Sequence, residues 1–366
     1  MNEARRQVPT AAVIPADPGN LTDFDERDVF AACLEARRDQ WSRLIFNAGR
    51  GDSKRIQRLR RLMAAHDRAT VLDGARAPQA DPQSIGPYEI LRRLGEGGMG
   101  VVFAARRRRS GQEPAQRQVA IKTVRATAMT SQIAWRFRAE RRALLRMAHP
   151  NIVGFLGAGS HAGVPYIVME LVDGAPLLDY CDERSISLPE RARLLAPVCR
   201  AVSHAHARGI IHRDLKPANI IVTESDGRAV PKIIDFGISR PTTRSSGARA
   251  PRTLFGQLVG TPEYMSPEQA STDGGPVSRR SDVYSLGVVL YQLLCGELPF
   301  ASQEGSTYEL LRRVRTEIPI APSMRSKGDA VSPRLDGIVM KALEKDPRKR
   351  YASPAEMADA IEGVVA

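Results

Sequence analysis

The chain has 366 residues, 42% of them apolar, which is enough for a sizeable core and excludes a disordered protein. Its 54 Lys and Arg against 41 Asp and Glu leave a net charge of +13, suited to an acidic partner such as ATP, nucleic acid or an anionic membrane surface, among which net charge alone does not choose. No helix-groove or aromatic-platform pattern accompanies that charge, so no nucleic-acid partner is expected.

Residues 1–20 are rich in Pro and small residues and are expected to form a flexible tail. Ala11 to Ala16 is too short for a signal peptide and carries Pro15, and the longest apolar run, Leu286 to Cys295, falls below the roughly 18 residues of a membrane span. A cytoplasmic protein is therefore expected. Cys33, Cys181, Cys199 and Cys295 are scattered, with no Cys-x-x-Cys pair, and are read as core or incidental thiols.

Over residues 21–73 the apolar positions Val29, Phe30, Cys33, Leu34, Trp41, Leu44, Ile45, Ile56, Leu59, Leu62 and Met63 recur at helical spacing. The spacing predicts about three short amphipathic helices, broken at Asn47-Ala-Gly-Arg-Gly-Asp, and the basic third one, Lys54 to Arg61, reads as a solvated face. Residues 74–86 have linker composition.

After Pro87 short β-branched runs follow: Tyr88 to Leu94, Val101 to Ala105 and Gln118 to Val124, consistent with an antiparallel sheet. From about Leu188 helical periodicity dominates, so residues 87–366 read as an α+β unit with a small β-rich part and a larger helical part. His204 and His206 on a helical stretch are read as packing or hydrogen-bonding residues, and no zinc site is expected.

Leu94-Gly95-Glu96-Gly97-Gly98-Met99-Gly100-Val101-Val102 lies between two of the strand-like runs. Glycines there let backbone N–H groups approach phosphate oxygens, and the strand context favours a phosphate-covering hairpin over a dinucleotide-binding turn, which opens a helix. Val119-Ala120-Ile121-Lys122 then puts an ammonium group on a strand, and Glu140 follows on a helix-like stretch. Next come Ile211-His-Arg-Asp-Leu-Lys-Pro-Ala-Asn219, Ile234-Asp-Phe-Gly237 and Gly260-Thr-Pro-Glu-Tyr-Met-Ser-Pro-Glu268. With these motifs in order, the sequence from about Tyr88 to Glu362 resembles the eukaryotic-like (Hanks-type) serine/threonine protein kinases of bacteria.

The resemblance implies a two-lobed kinase fold and phosphoryl transfer from ATP with Mg²⁺. Asp214 would receive or orient the proton of the incoming hydroxyl, and Lys216 would steady the γ-phosphate. Asn219 and Asp235 would supply oxygen ligands to Mg²⁺, and Lys122, held by Glu140, would anchor the α- and β-phosphates. Val102, Ala120 and Ile221 would sandwich the adenine, with Met169 preceding the hinge Glu170-Leu-Val172. Lys216, two residues after Asp214, and Thr261 imply Ser/Thr acceptors on protein substrates; the Thr261 hydroxyl would bridge Asp214 and Lys216.

Asp282 is expected to brace the catalytic loop and Arg350 to pair with Glu268. A pseudokinase would have lost Lys122, Asp214 or Asp235, and all three are present. Many such bacterial kinases continue into a membrane span and an external sensor, whereas this chain ends at Ala366, so regulation is expected through residues 1–86, the activation segment or a separate protein. In that segment, Asp235 to Glu268, Thr253 is the preferred autophosphorylation site, ahead of Thr242, Thr243, Ser245 and Ser246, with Arg136, Arg213 and Arg240 as its cationic partners.

Overall fold

The computed structural model describes residues 29, 33, 41–49, 52, 53, 55–61, 63, 81–97, 100–108, 118–123, 147–235, 261–271, 276–300, 307–326 and 330–365. These fall into two compact units, one before residue 76 and one from there onward.

In the first unit, helix α1 (Trp41–Gly49) buries Leu44, Ile45 and Ala48, the face set by its 3-4 spacing. They pack with Val29, Cys33, Leu59 and Met63 in a small core of their own. The expected break falls later than predicted, because α1 continues through Asn47 and Ala48 to Gly49 before ending. Gly49 passes so close to Ile56 that a Cβ there would sit 2.1 Å from Ile56 Cγ1, which explains a glycine at this crossing. Asp52 then starts the next helical stretch, its carboxylate accepting from Arg55 N at 3.0 Å.

The second unit begins with an antiparallel six-stranded sheet: β1 (Ser84–Ile85), β2 (Tyr88–Gly97), β3 (Gly100–Arg107), β4 (Val119–Thr123), β5 (Phe155–His161) and β6 (Val164–Glu170). Its order is β1-β2-β3-β4-β6-β5. Strand alternation divides its apolar residues between two faces. Phe103, Val119, Ile121 and Val168 form one cluster, while Ala120, Ile167 and Met169 form the other, against Val102 and Val172. Lys122 shares the parity of Ala120 and so points to the second face.

Beyond the sheet come β7 (Ala175–Pro176), α2 (Leu177–Glu183) and α3 (Leu188–Ala207). The N-terminus of α3 carries a Ser187–Glu190 capping box. The hairpin β8 (Ile220–Ser225) and β9 (Arg228–Ile233) joins β7 in a second small sheet. This sheet departs from the expectation that helices dominate after Leu188. Its turn, Asp226-Gly227, has φ values of +53° and +71°, the left-handed pair that an Asp-Gly hairpin turn supplies.

The remaining helices are α4 (Pro267–Ala270), α5 (Arg279–Cys295), α6 (Thr307–Thr316), α7 (Pro333–Ala342) and α8 (Pro354–Val365). Helix α5 is buried on every side from Ser281 to Tyr291, and is the axis of the core shared with α3, α7 and α8. All four cysteines are free thiols, and burial raises Cys33 and Cys181 to about 11 and Cys199 to about 12, so these three are inert packing groups. Among the described residues no helix is long and apolar enough to cross a membrane.

Candidate active site

Residues 212–219 form a loop between α3 and β8, and its shape is imposed from α5. Asp282, fully buried, accepts from His212 N at 2.8 Å, Arg213 N at 2.8 Å and His206 Nε2 at 2.7 Å. Burial pushes its carboxyl up, but the bond from His206, the charge of the two histidines and the Arg213 amide outweigh this and hold it below the usual carboxylate range. Arg213 sits at φ +68°, a left-handed conformation unfavourable to a residue with a Cβ, and its carbonyl accepts from Gln269 Nε2 at 3.0 Å. The next residue is Asp214.

Around Asp214 the predicted residues come together. Thr261 N donates to Asp214 Oδ1 at 3.3 Å, and Lys216 Nζ donates to Thr261 Oγ1 at 2.7 Å. The bridge foreseen for Thr261 is thus made by two of its groups, the hydroxyl toward Lys216 and the amide toward Asp214. Asn219 Nδ2 donates to the Asp214 carbonyl at 2.9 Å, which leaves the Asn219 side-chain oxygen as an acceptor. The Ile234 amide donates to the Asn219 carbonyl at 3.0 Å, so Asp235 follows directly beside this loop.

Asp235 also meets the first sheet. Lys122 Nζ lies 2.5 Å from Asp235 Oδ2, and both side chains are largely shielded from water. Glu140, the partner expected for Lys122, lies outside the described residues, as do Gly98, Met99, Thr242, Thr243, Ser245, Ser246, Thr253, Arg136 and Arg240.

The Gly-rich hairpin closes with Gly97 opposite Gly100, Glu96 opposite Val101 and Gly95 opposite Val102; Leu94, partly exposed, precedes it. Val102 is opposite Lys122, and Ala120 opposite Met169, so the positions expected to line the adenine site share one face of the sheet. Ile221 approaches from β8, where a Cβ on Gly174 would be 2.9 Å from its Cγ2 and 2.2 Å from the Val222 carbonyl. The glycine therefore lets the chain after Val172 pass against β8.

Glu170 pairs with Lys232 on β9 at 2.5 Å, an interaction absent from the sequence reading. Asn151 adds a second tie, donating from Nδ2 to the Pro231 carbonyl at 2.8 Å. Glu170 was expected only to offer its backbone in the hinge; a Lys three residues ahead of Asp235 was the available signal for its side chain. The expected pair Glu268–Arg350 is present, as a buried two-pronged bridge with distances of 2.9 and 2.8 Å. Ser281 Oγ donates to the same carboxylate at 2.7 Å. Burial raises the Glu268 carboxyl and the Arg350 fork more than offsets this, leaving it below its ordinary value.

The donor types suit a hard cation: the Asp235 carboxylate, which meets Lys122, and the Asn219 amide oxygen. Two carboxylates and two ammonium groups are thus linked, Lys122 with Asp235 and Lys216 with Asp214 through Thr261, and the backbone bond from Ile234 to Asn219 joins the two sets.

Residues 88–360 match the family model described as protein kinase domain. The chain is 38% identical over 304 residues to the serine/threonine-protein kinase Pkn1 of Myxococcus xanthus, covering 82% of this chain and 41% of that protein. It is 42% identical over 278 residues to the serine/threonine-protein kinase PknB of Mycobacterium leprae, covering 74% of this chain and 42% of that protein. It thus spans about two-fifths of the length of these relatives. The crystal structure of the Mycobacterium tuberculosis PknI kinase domain superposes with a TM-score of 0.55 at 26% identity, covering 77% of this chain and 98% of that one. With the motifs, the two-lobed α+β fold and these relatives in agreement, the chain belongs to the protein kinase family, in its Hanks-type bacterial serine/threonine branch.

Proposed function

We propose that the chain transfers the γ-phosphoryl group of ATP to Ser or Thr hydroxyls of protein substrates, with Asp214 as its catalytic aspartate. The observation that carries this reading is the hydrogen-bonded set Asp214, Thr261 and Lys216, which puts a carboxylate and an ammonium group on either side of one threonine.

Phosphoryl transfer asks the protein mainly to position reactants and offset charge. Asp214 orients the acceptor hydroxyl and takes its proton as the oxygen bonds to the γ-phosphorus and the bond to the departing ADP breaks. Lys216 offsets charge on the moving phosphoryl oxygens, and Thr261 fixes the spacing of Lys216 from Asp214. Lys122 contacts the α- and β-phosphates. Asn219 and Asp235 would hold Mg²⁺, which would supply charge compensation for the phosphates. Val102, Ala120 and Ile221 sandwich the adenine, Met169 stands before the hinge, and the backbone of Glu170 to Val172 bonds the adenine edge.

Autophosphorylation in the activation segment, at Thr253 first, raises activity, and residues 21–73 form a separate helical module ahead of the kinase domain at 87–366. The test is replacement of Asp214 by Asn. A general base contributes about 10²–10⁴-fold, so transfer to a protein substrate falls at least about a hundredfold while nucleotide binding persists. Near-wild-type turnover removes Asp214 from the mechanism.

A further inference from the structure

Arg93 stands on β2 immediately before the Gly-rich hairpin, and its guanidinium serves two carboxylates at once. Nη1 donates to Glu96 Oε2 at 2.6 Å, inside the hairpin. On the other side Nε donates to Asp81 at 2.9 and 3.3 Å, and Nη2 donates to the same carboxylate. Asp81 lies ahead of the segment that matches the kinase family, which begins at residue 88.

The chain that carries Asp81 is fastened to the sheet. Ser84 and Ile85 pair with Glu89 and Tyr88, and Ile90 N donates to the Gln83 carbonyl at 3.0 Å. Ile85 is buried with Phe103 and Tyr166. The turn at Gly86 has φ +56°, and a Cβ there would sit 2.3 Å from the Tyr166 hydroxyl oxygen. Asp81 is therefore a fixed point outside the hairpin, and Arg93 connects it to a residue within the hairpin.

Glu96 lies between Gly95 and Gly97, in the loop assigned to the ATP phosphates, where an uncompensated carboxylate repels them. We propose that Arg93 is a positioning residue for the nucleotide: it holds and offsets Glu96 in the Gly-rich loop and is itself fixed by Asp81. The segment ahead of the kinase region thereby sets the affinity of the loop. This rests on the reading of that loop as the phosphate-binding element.

The three side chains are 38–44% exposed, and a lone exposed ion pair contributes little. A guanidinium fork shared by two carboxylates is the network case in which exposed charges do contribute, and the contribution is screened by salt.

The experiment titrates the full chain with a fluorescent N-methylanthraniloyl ATP analogue and Mg²⁺ at about 0.05 M and 1 M salt. At low salt Arg93→Met weakens binding about two- to fivefold, and Asp81→Asn weakens it by less. At 1 M salt, where the screening length is about 3 Å, the Arg93→Met difference disappears. In a Glu96→Gln background Arg93→Met has no further effect, and in an Arg93→Met background Asp81→Asn has none; a merely structural role would not give this pattern. Wild-type binding with Arg93→Met unaffected, or a loss that persists in the Glu96→Gln background, overturns the inference alone. A wild type that binds no nucleotide overturns the kinase reading itself.

Discussion

Lys122 Nζ and Asp235 Oδ2 are 2.5 Å apart, so the amine expected on the phosphates and the carboxylate expected on the metal hold each other across the two lobes. Asp235→Ala removes the proposed metal ligand, so phosphoryl transfer is expected to collapse and excess Mg²⁺ to fail to restore it. Full rescue by Mg²⁺ in a kinase assay contradicts the assignment. Lys122→Met leaves Asp235 without its partner and is expected to raise the KM for ATP as well as lower kcat.

Asp282 is the buried acceptor on which the shape of the 212–214 backbone depends. Asn in its place opposes an NH2 group to one of three converging donors, at a cost of about 1–3 kcal/mol for a buried donor left unpaired. The folded Asp282 carboxyl lies below its unfolded value, so its stabilisation is complete above the unfolded pKa of about 3.9 and is lost as pH falls through the lower folded value. Urea midpoints of wild type and Asp282→Asn should still differ at pH 5 and converge only in stronger acid. Convergence already at pH 6 argues against this role.

Arg350 and Glu268 are both almost wholly buried, with Arg350 also donating to the carbonyls of Glu344, Arg280 and Lys345. Removing one partner leaves an uncompensated buried charge, so Arg350→Met is expected to destabilise by about 3–5 kcal/mol in equilibrium unfolding. A change below about 1 kcal/mol refutes the buried-pair account. The double variant Glu268→Gln with Arg350→Met should lose less than the sum of the two single losses.

Lys345 reports burial with the opposite sign. Burial, then the charge of Arg350, lowers its amine from 10.5 to about 8, while Nζ donates to the Val314 carbonyl at 2.7 Å. Between about pH 8 and 10.5 the unfolded chain binds the proton that the folded chain has released, so stability rises with pH through that window. Below it the penalty is fully present. Relative to Lys345→Met, wild type should therefore gain stability from pH 8 to pH 10; a difference that stays flat rules out the depressed amine.

The residues that carry the proposed chemistry were legible because each stands in a short contiguous motif. Asp214, Lys216 and Asn219 lie within one loop, and Asp235 and Lys122 each sit within or beside a β-branched strand. The strands β8 and β9 were missed because their apolar runs follow a long helix and were absorbed into its periodicity, although Asp226-Gly227 marks their turn. Side-chain ties between elements far apart in the chain left little local signal: Glu170 with Lys232, Asn151 with Pro231, and Arg93 with Asp81. They depend on which strands become neighbours, and that is decided by the packing of the whole sheet.

The most direct test of the central claim is phosphate transfer itself. The purified chain is incubated with Mg·ATP and a protein acceptor, and phosphosites are mapped by mass spectrometry beside the Asp214→Asn variant. The account predicts phosphoserine and phosphothreonine with wild type, Thr253 among the sites on the chain itself, and at least about a hundredfold less with the variant. Phosphotyrosine as the main product, or equal phosphorylation by the variant, would contradict it.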